Sequence, residues 1–123
     1  MDNRVVVRPE HLNHHGYLFG GDLLRWADEY AWLTCSLEFP GCTMVTIAID
    51  EAEFRERVVC GAILRYHVAR IRRGRTSVTY RVEVHADEPG ASGEKHVFVT
   101  RVTFVRVDAE GRKTPLPDAG EPR

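Results

Sequence analysis

The segment from Gly20 to Leu37 constrains the fold of this chain more than any other part of the sequence. It contains no proline and, after Gly21, no glycine, and its apolar residues recur at intervals of three and four, the spacing of an α-helix. Its polar positions gather into one narrow stripe, so most of its circumference is apolar. Because exposed apolar surface is unfavourable in water, such a helix must be nearly enclosed by other structure.

The rest of the chain predicts strands that supply this enclosure. Four segments that alternate or are rich in β-branched residues are typical of strands: 43–50, 62–71, 76–86 and 96–107. A tight turn at 73–75 and a polar loop at 87–94 make the last three strands a meander. With a short strand at 5–7, the pattern predicts an α+β domain in which a curved antiparallel β-sheet wraps around one long central helix.

Length and charge limit the number of domains and the classes of partner. The 123 residues have room for one domain, at 1–117, and the prolines and charges of 118–123 predict a disordered tail. A net charge of −1 gives no general attraction to nucleic acid or to an anionic membrane. The first ten residues contain no long apolar run, so we expect neither a secretory signal nor a transmembrane helix, and a cytoplasmic location.

The cysteines and histidines do not follow a metal-binding spacing. Cys35, Cys42 and Cys60 share no CxxC pattern, so we expect no disulfide framework and no zinc site, and we interpret them as buried or half-buried thiols. Only His14 and His15 are adjacent, and sequence neighbours rarely hold one ion without further ligands. We therefore predict no metal and no cofactor.

Asp28 is out of place in the predicted helix. It lies about 80° from the centre of the polar stripe, and its neighbours three and four residues away include Leu24, Ala31 and Trp32. A carboxylate there is costly unless it is paired or used in chemistry. The position alone permits two interpretations: a boundary aspartate bonded to Arg25 or to a strand arginine, and a carboxylate that accepts a proton.

Two glycines open the helix, in the run Phe19-Gly20-Gly21-Asp22. They leave backbone N–H groups uncovered at the positive end of the helix dipole, where such groups can stabilise an oxyanion. Alternatively, they simply permit a tight turn. Asn13, in the preceding loop, can hold a water through its amide or stabilise the turn through an Asx bond.

The chain resembles the hotdog-fold acyl-CoA thioesterases, in particular the branch of YciA and brain acyl-CoA hydrolase. The likeness is carried by HLNHHGYLFGGDLLRWAD at 11–28 and continues in order through VTIAID at 45–50 and GRTS at 74–77. The resemblance implies the hotdog fold and the hydrolysis of acyl-CoA thioesters. It assigns Asp28 the role of general base or nucleophile, Asn13 a positioning role, and the amides of Gly20 and Gly21 the polarisation of the thioester carbonyl.

The helix geometry adds a constraint on how these residues work together. Gly21 and Asp28 stand roughly 10 Å apart along the helix axis, at about 1.5 Å per residue, so one carbonyl cannot easily touch both. We therefore predict a composite site with Asn13, Gly20 and Gly21 from one subunit and Asp28 from its neighbour. Its substrate contacts include Phe19 and Trp32, and Trp32 shapes the acyl pocket. The resemblance implies the same dimer, often assembled further into a hexamer, a trimer of dimers.

Four arginines surround Gly74 and permit either a solvated hairpin tip or a contact with the phosphates of CoA. The resemblance points to the CoA contact, for which we select Arg72, Gly74, Arg75 and Ser77. Two positions depart from the family pattern: Arg57 stands where relatives tend to have Pro, and Ala62 where they tend to have Asp.

Two other functions are compatible with the sequence. An enoyl-thioester hydratase or dehydratase would use a histidine with the helix acid, and His14 or His15 is the candidate. A module that binds acyl-CoA without hydrolysing it would keep the same fold. Release of free thiol from acyl-CoA separates both from a thioesterase.

Overall fold

The apolar helix forms the centre of the structure. In the computed structural model, which describes residues 1–118, α1 spans Gly20–Glu38, one residue beyond the predicted end. Its buried side chains follow the predicted apolar stripe: Leu23, Trp26, Ala27, Ala31, Thr34, Cys35 and Glu38. Except for Asp118, the predicted tail at 118–123 lies outside the described residues.

One five-stranded antiparallel sheet packs against this helix. Its strands are β1 Asp2–Val6, β2 Thr43–Phe54, β3 Ile63–Arg73, β4 Ser77–Asp87 and β5 Lys95–Val107. Their spatial order is β1-β3-β4-β5-β2, so the predicted meander of the last three strands is confirmed. The sheet buries alternate side chains of β4, from Val78 to Val84, as the sequence alternation predicts. Among the described residues, no helix has the length and apolar character that crossing a bilayer requires.

Strand β2 is an edge of the sheet and is unusually exposed. It pairs only with β5, and every residue of the strand except Met44 is exposed. Its apolar side chains Val45, Ile47 and Ile49 are 39%, 52% and 39% exposed. A long edge strand of this kind is a ready template for pairing with another strand.

The sheet of one chain encloses only part of the helix. Trp32 and Leu37, both on α1, remain 45% and 44% exposed. The expectation of a nearly enclosed helix is therefore wrong for the single chain, because one five-stranded sheet covers only one side of it. The remaining apolar surface is free to pack against a second molecule.

A buried polar cluster fixes the end of the helix to the sheet. Glu38, which is 4% exposed, accepts hydrogen bonds from Tyr80 Oη at 2.5 Å and from Arg70 Nη2 at 2.8 Å. Burial, followed by this hydrogen bond, raises the pKa of Tyr80. Since a buried charge is tolerated only when it is paired, the cluster holds α1 in one position against β3 and β4.

Candidate active site

The side chain of Asp28 is held by strand β2. Thr46 Oγ1 donates a hydrogen bond to Asp28 Oδ1 at 2.7 Å. Arg25 pairs instead with Asp22, at 3.3 Å, and among the described residues no strand arginine bonds to Asp28. The interpretation of Asp28 as an aspartate paired with an arginine is therefore wrong. A neutral hydroxyl orients one carboxylate oxygen and leaves the negative charge available.

Trp32 lies one helical turn after Asp28 and faces the same strand. Its Nε1 donates a hydrogen bond to the carbonyl oxygen of Met44 at 3.3 Å. This contact fixes the indole while leaving its ring 45% exposed. Residues four apart on a helix are neighbours, so Trp32 lies beside Asp28, and its role in shaping an acyl pocket stays a prediction.

A cavity of about 550 Å³ lies at the start of α1. It is bounded by the loop that contains Asn13, by the first helical turn and by the residues that follow β2. Its lining residues include Asn13, His15, Tyr17, Gly20, Phe54, Glu56 and Arg57. Asn13 and Gly20, which the sequence assigns to one half of the site, therefore share a cavity. Asp28 does not line it.

Asn13 shapes the loop with one end of its amide. Its Oδ1 accepts hydrogen bonds from the backbone N–H of His15 at 2.9 Å and of Tyr17 at 3.2 Å, which is an Asx-type turn. The Asx alternative is therefore confirmed. The Nδ2 amide group has no hydrogen-bond partner among the described residues, so the same side chain can still donate a hydrogen bond into the cavity.

The two glycines at the helix start lie under aromatic rings. The helix begins at Gly20 without a side-chain cap. The Asp22 N–H donates to the Phe19 carbonyl oxygen at 3.0 Å, whereas the N–H groups of Gly20 and Gly21 have no acceptor among the described residues. A Cβ atom on Gly20 would lie 3.0 Å from the Phe54 ring, and one on Gly21 would lie 2.5 Å from the Phe19 ring. A side chain at either position would have to displace an exposed ring, and the two rings form apolar walls beside the glycines.

The departure at Arg57 changes the wall of the cavity. Its guanidinium lies 5.0 Å from the centre of the Tyr17 ring, a cation–π contact. Arg57 has no salt-bridge partner among the described residues, and its positive charge faces a cavity that Glu56 also lines. Ala62 is fully buried, and its backbone pairs with Val7, so that departure affects packing.

The arginines near Gly74 divide into two groups. Arg70 binds Glu38, and Arg73 Nη2 donates to the carbonyl oxygen of Pro117. Arg72 and Arg75, the two selected from the sequence, have no carboxylate partner among the described residues. The turn itself is closed by a hydrogen bond from the Gly74 N–H to the Ser77 carbonyl oxygen at 2.8 Å.

The sequence did not identify two further arginines that join this region. Arg72 lines a second cavity, of about 320 Å³, together with Arg81 and Arg101. Arg81 and Arg101 are direct partners in the register of β4 and β5, although they are twenty residues apart in the chain. Strand pairing, which no local pattern reveals, brings these guanidiniums together.

Residues 15–92 match the family model described as the Thioesterase superfamily. An uncharacterised acyl-CoA thioester hydrolase of Zymomonas mobilis is 29% identical over 98% of this chain and 80% of its own length. Other relatives are longer proteins, of which the chain spans between 17% and 63%.

Two solved structures combine a similar fold with appreciable identity. A hexameric hotdog-fold thioesterase of Campylobacter jejuni superimposes with a TM-score of 0.84 and 30% identity, covering 94% of this chain and 89% of that chain. An acyl-CoA hydrolase of Staphylococcus aureus, in complex with butyryl-CoA and CoA, gives 0.82 and 28%, covering 95% and 71%. The predicted hotdog fold is confirmed.

Proposed function

The chain belongs to the thioesterase superfamily, and we propose that it hydrolyses acyl-CoA thioesters to free CoA and a carboxylic acid, at a site shared by two copies of the chain. The observation that carries the proposal is the cavity at the helix start, which Asn13 and Gly20 line together. The thioesterase names of similar proteins support the same chemistry.

The proposed reaction uses these groups for separate tasks. The N–H groups of Gly20 and Gly21 and the amide of Asn13 donate hydrogen bonds to the thioester oxygen, whose negative charge grows on attack. Asp28 takes a proton from an attacking water, or attacks the carbonyl carbon itself and is then released by water. Either route forms a C–O bond, breaks the C–S bond and releases CoA, whose thiolate takes up a proton.

The structure suggests how a second copy completes the site. Thr46, which holds Asp28, lies near the start of β2, whereas Phe54, which covers Gly20, lies at its end. The eight residue steps from Thr46 to Phe54 span at most roughly 26 Å at about 3.3 Å per residue. If two β2 strands pair antiparallel about a two-fold axis near Asp50, the start of each strand meets the end of the other.

This pairing places Asp28 of one copy beside Gly20 and Asn13 of the other. It also covers the exposed apolar side chains of β2, and it brings the exposed Trp32 to the wall of the acyl pocket. Each dimer then has two equivalent sites. Further assembly into a trimer of dimers is proposed by analogy with hexameric relatives such as the C. jejuni enzyme.

We place the phosphates of CoA at the arginines of the β3–β4 turn. Arg72 and Arg75 lack carboxylate partners in the described part of the chain, and planar guanidiniums bind phosphate oxygens in pairs. Gly74 and Ser77 supply the tight turn and a hydroxyl donor. None of these four residues lines the cavity that contains Asn13. This separation fits a ligand whose pantetheine arm lies between the thioester and the phosphates.

The proposal is tested by the release of free CoA from short, medium and long acyl-CoA, for the natural protein and for Asp28→Asn. We expect turnover by the natural protein and a loss of about a hundredfold or more in a folded Asp28→Asn variant. Hydration of enoyl-CoA without thiol release would identify a hydratase instead. Binding of acyl-CoA without either reaction would identify a binding module.

Isotope incorporation separates the two roles of Asp28. In a single turnover in H₂¹⁸O, if Asp28 acts as a general base, the ¹⁸O of the attacking water appears only in the released acid. A nucleophile forms an acyl-aspartyl anhydride, and its hydrolysis by attack at the aspartyl carbon leaves ¹⁸O in the protein, which mass spectrometry detects on the peptide containing Asp28.

A further inference from the structure

Three potential metal ligands meet on the outer face of the sheet, and one of them, His96, contacts Arg55, which also lines the cavity at the helix start. Glu83 and His85 are alternate residues of β4, so their side chains point to the same face. His96 of β5 is the direct cross-strand partner of His85. The two imidazole rings stack with centroids 4.7 Å apart and planes inclined by 17°.

Two nitrogens of this pair are buried without a partner. His85 Nδ1 and His96 Nε2 are shielded from solvent and have no hydrogen-bond partner among the described residues. Buried polar atoms are almost always bonded, and an orphaned one calls for strain, a water or an ion as its explanation. Two orphaned imidazole nitrogens beside a carboxylate are the ligand types that transition metals prefer.

We propose that Glu83, His85 and His96 bind a divalent transition metal, of which Zn²⁺ fits the ligand set best. The donor atoms of the three side chains lie within 4.8 Å of one another. In a tetrahedral site with bonds of about 2.0–2.1 Å, donor atoms are roughly 3.4 Å apart. The difference is closed by rotation of the imidazole rings about χ2, a soft torsion.

The carboxylate is already partly oriented for this role. Arg81 Nε donates to Glu83 Oε1 at 2.6 Å, which leaves Oε2 for the metal. A ligand carboxylate held by an outer hydrogen bond is the usual arrangement in metal sites. Three protein ligands leave a fourth position for water or a further ligand.

Two of the nearby arginines are paired with carboxylates that are not metal ligands, whereas the third, Arg81, would share the Glu83 carboxylate with the metal. Arg81 binds Glu83, Arg55 binds Glu53 at 3.0 Å, and Arg65 binds Glu94 at 2.9 Å. The local charge around the two histidines is therefore balanced. A dication enters a site of mixed charge, with the Glu83 carboxylate as its direct counter-ion.

Arg55 competes with the metal for His96. Its Nη1 lies 2.9 Å from His96 Nδ1, and since arginine only donates, Nδ1 accepts and the neutral ring carries its proton on Nε2. A metal at Nε2 replaces that proton and moves the tautomer to Nδ1–H, so Arg55 must release the ring. The half-exposed Arg55 side chain can do so while it keeps Glu53.

The experiment uses the full chain, treated with chelator and then titrated with ZnCl₂ by calorimetry, and with Co²⁺ as a spectroscopic probe. We expect one Zn²⁺ per chain with a micromolar or tighter Kd, and a Co²⁺ visible spectrum typical of four-coordinate nitrogen and oxygen ligation. His85→Ala and His96→Ala should each weaken binding by about tenfold or more, whereas Arg55→Met should strengthen it.

His14→Ala is the matched control, because the His14 and His15 rings are also in contact, with centroids 3.9 Å apart and planes inclined by 42°, but do not belong to a cluster with a carboxylate. This variant should bind Zn²⁺ like the natural protein. Thioesterase activity and circular dichroism report whether the variants are folded. Absence of saturable binding to the natural protein, or equal binding to the folded His85→Ala/His96→Ala double variant, would overturn the proposal.

Discussion

Removal of the Thr46 hydroxyl should lower the rate of thioester hydrolysis without unfolding the protein. In Thr46→Val, a methyl group replaces the hydroxyl that donates to Asp28 at 2.7 Å, and the β-branched shape suited to a strand is kept. A hydrogen bond to a charged group contributes about 1.5–3 kcal/mol. Because Asp28 is only half-buried, water partly replaces the donor, and we take the lower end, about 1.5 kcal/mol.

That free energy predicts a specific kinetic pattern. If Thr46 holds the carboxylate in the reactive orientation, a loss of about 1.5 kcal/mol lowers kcat roughly tenfold. KM should change little, since Thr46 does not line the cavity at the helix start. The assay is the release of free CoA from a substrate that the natural protein hydrolyses, with thermal unfolding measured in parallel.

The matched control is Thr103→Val. Thr103 Oγ1 also forms a short hydrogen bond, 2.9 Å to Thr79 Oγ1, but on the outer face of the sheet and without a carboxylate. Thr103 lines the cavity of Arg72 but does not contact Asp28, so this variant should keep its kcat at saturating acyl-CoA. A Thr46→Val protein whose kcat stays within twofold of the natural value, at unchanged stability, would refute the orienting role of Thr46.

Three further predictions concern assembly, CoA binding and the thiols. Ile47→Lys places a charge on the exposed edge of β2, and we expect a smaller species by light scattering together with loss of hydrolysis; an active, unchanged oligomer would contradict the shared site. Arg72→Gln should raise KM several-fold for acyl-CoA but not for the matching acyl-pantetheine, which lacks the nucleotide phosphates; equal effects on both substrates would rule out phosphate binding. Exposed Cys60 should react quickly with a thiol reagent, whereas Cys35, whose pKa burial raises to about 11, should react only on unfolding, as followed by mass spectrometry.

The helix and the sheet were predictable because their signals are local. Periodicity along 20–37 predicted α1 to within one residue, and alternation in β4 predicted the buried side chains from Val78 to Val84 but not the burial of Thr79 on the opposite face. The strand ends were less predictable: β2 continues to Phe54, past the predicted end at Asp50. Its outer residues are exposed in the single chain, so they carry no burial pattern that marks where the strand stops. The interpretation of Cys60 as a core or half-buried thiol was wrong, because Cys60 is exposed. It lies in a loop, where the sequence likewise has no burial pattern.

Contacts between distant strands were the part that the sequence did not reveal. The bond from Thr46 to Asp28 joins β2 to α1. The cluster of Glu83, His85 and His96 depends on the register of β4 and β5, which shifts between Val84 and His85. Our sequence prediction of no metal considered spacing along the chain, and spacing contains no information about a cross-strand partner.

The unusual features of the helix and of β2 have a common explanation in a shared site. Burial of the Asp28 carboxylate would be unfavourable in a fully enclosed helix, and exposure of the Trp32 ring would be unfavourable on a fully exposed one. Both lie at the boundary between the covered and uncovered sides of α1, beside the unpaired edge of β2. A second copy that pairs with this edge buries the tryptophan and brings the carboxylate to the free amides of the other helix. The surface that drives assembly would then also contain the catalytic group, so assembly and activity should be lost together.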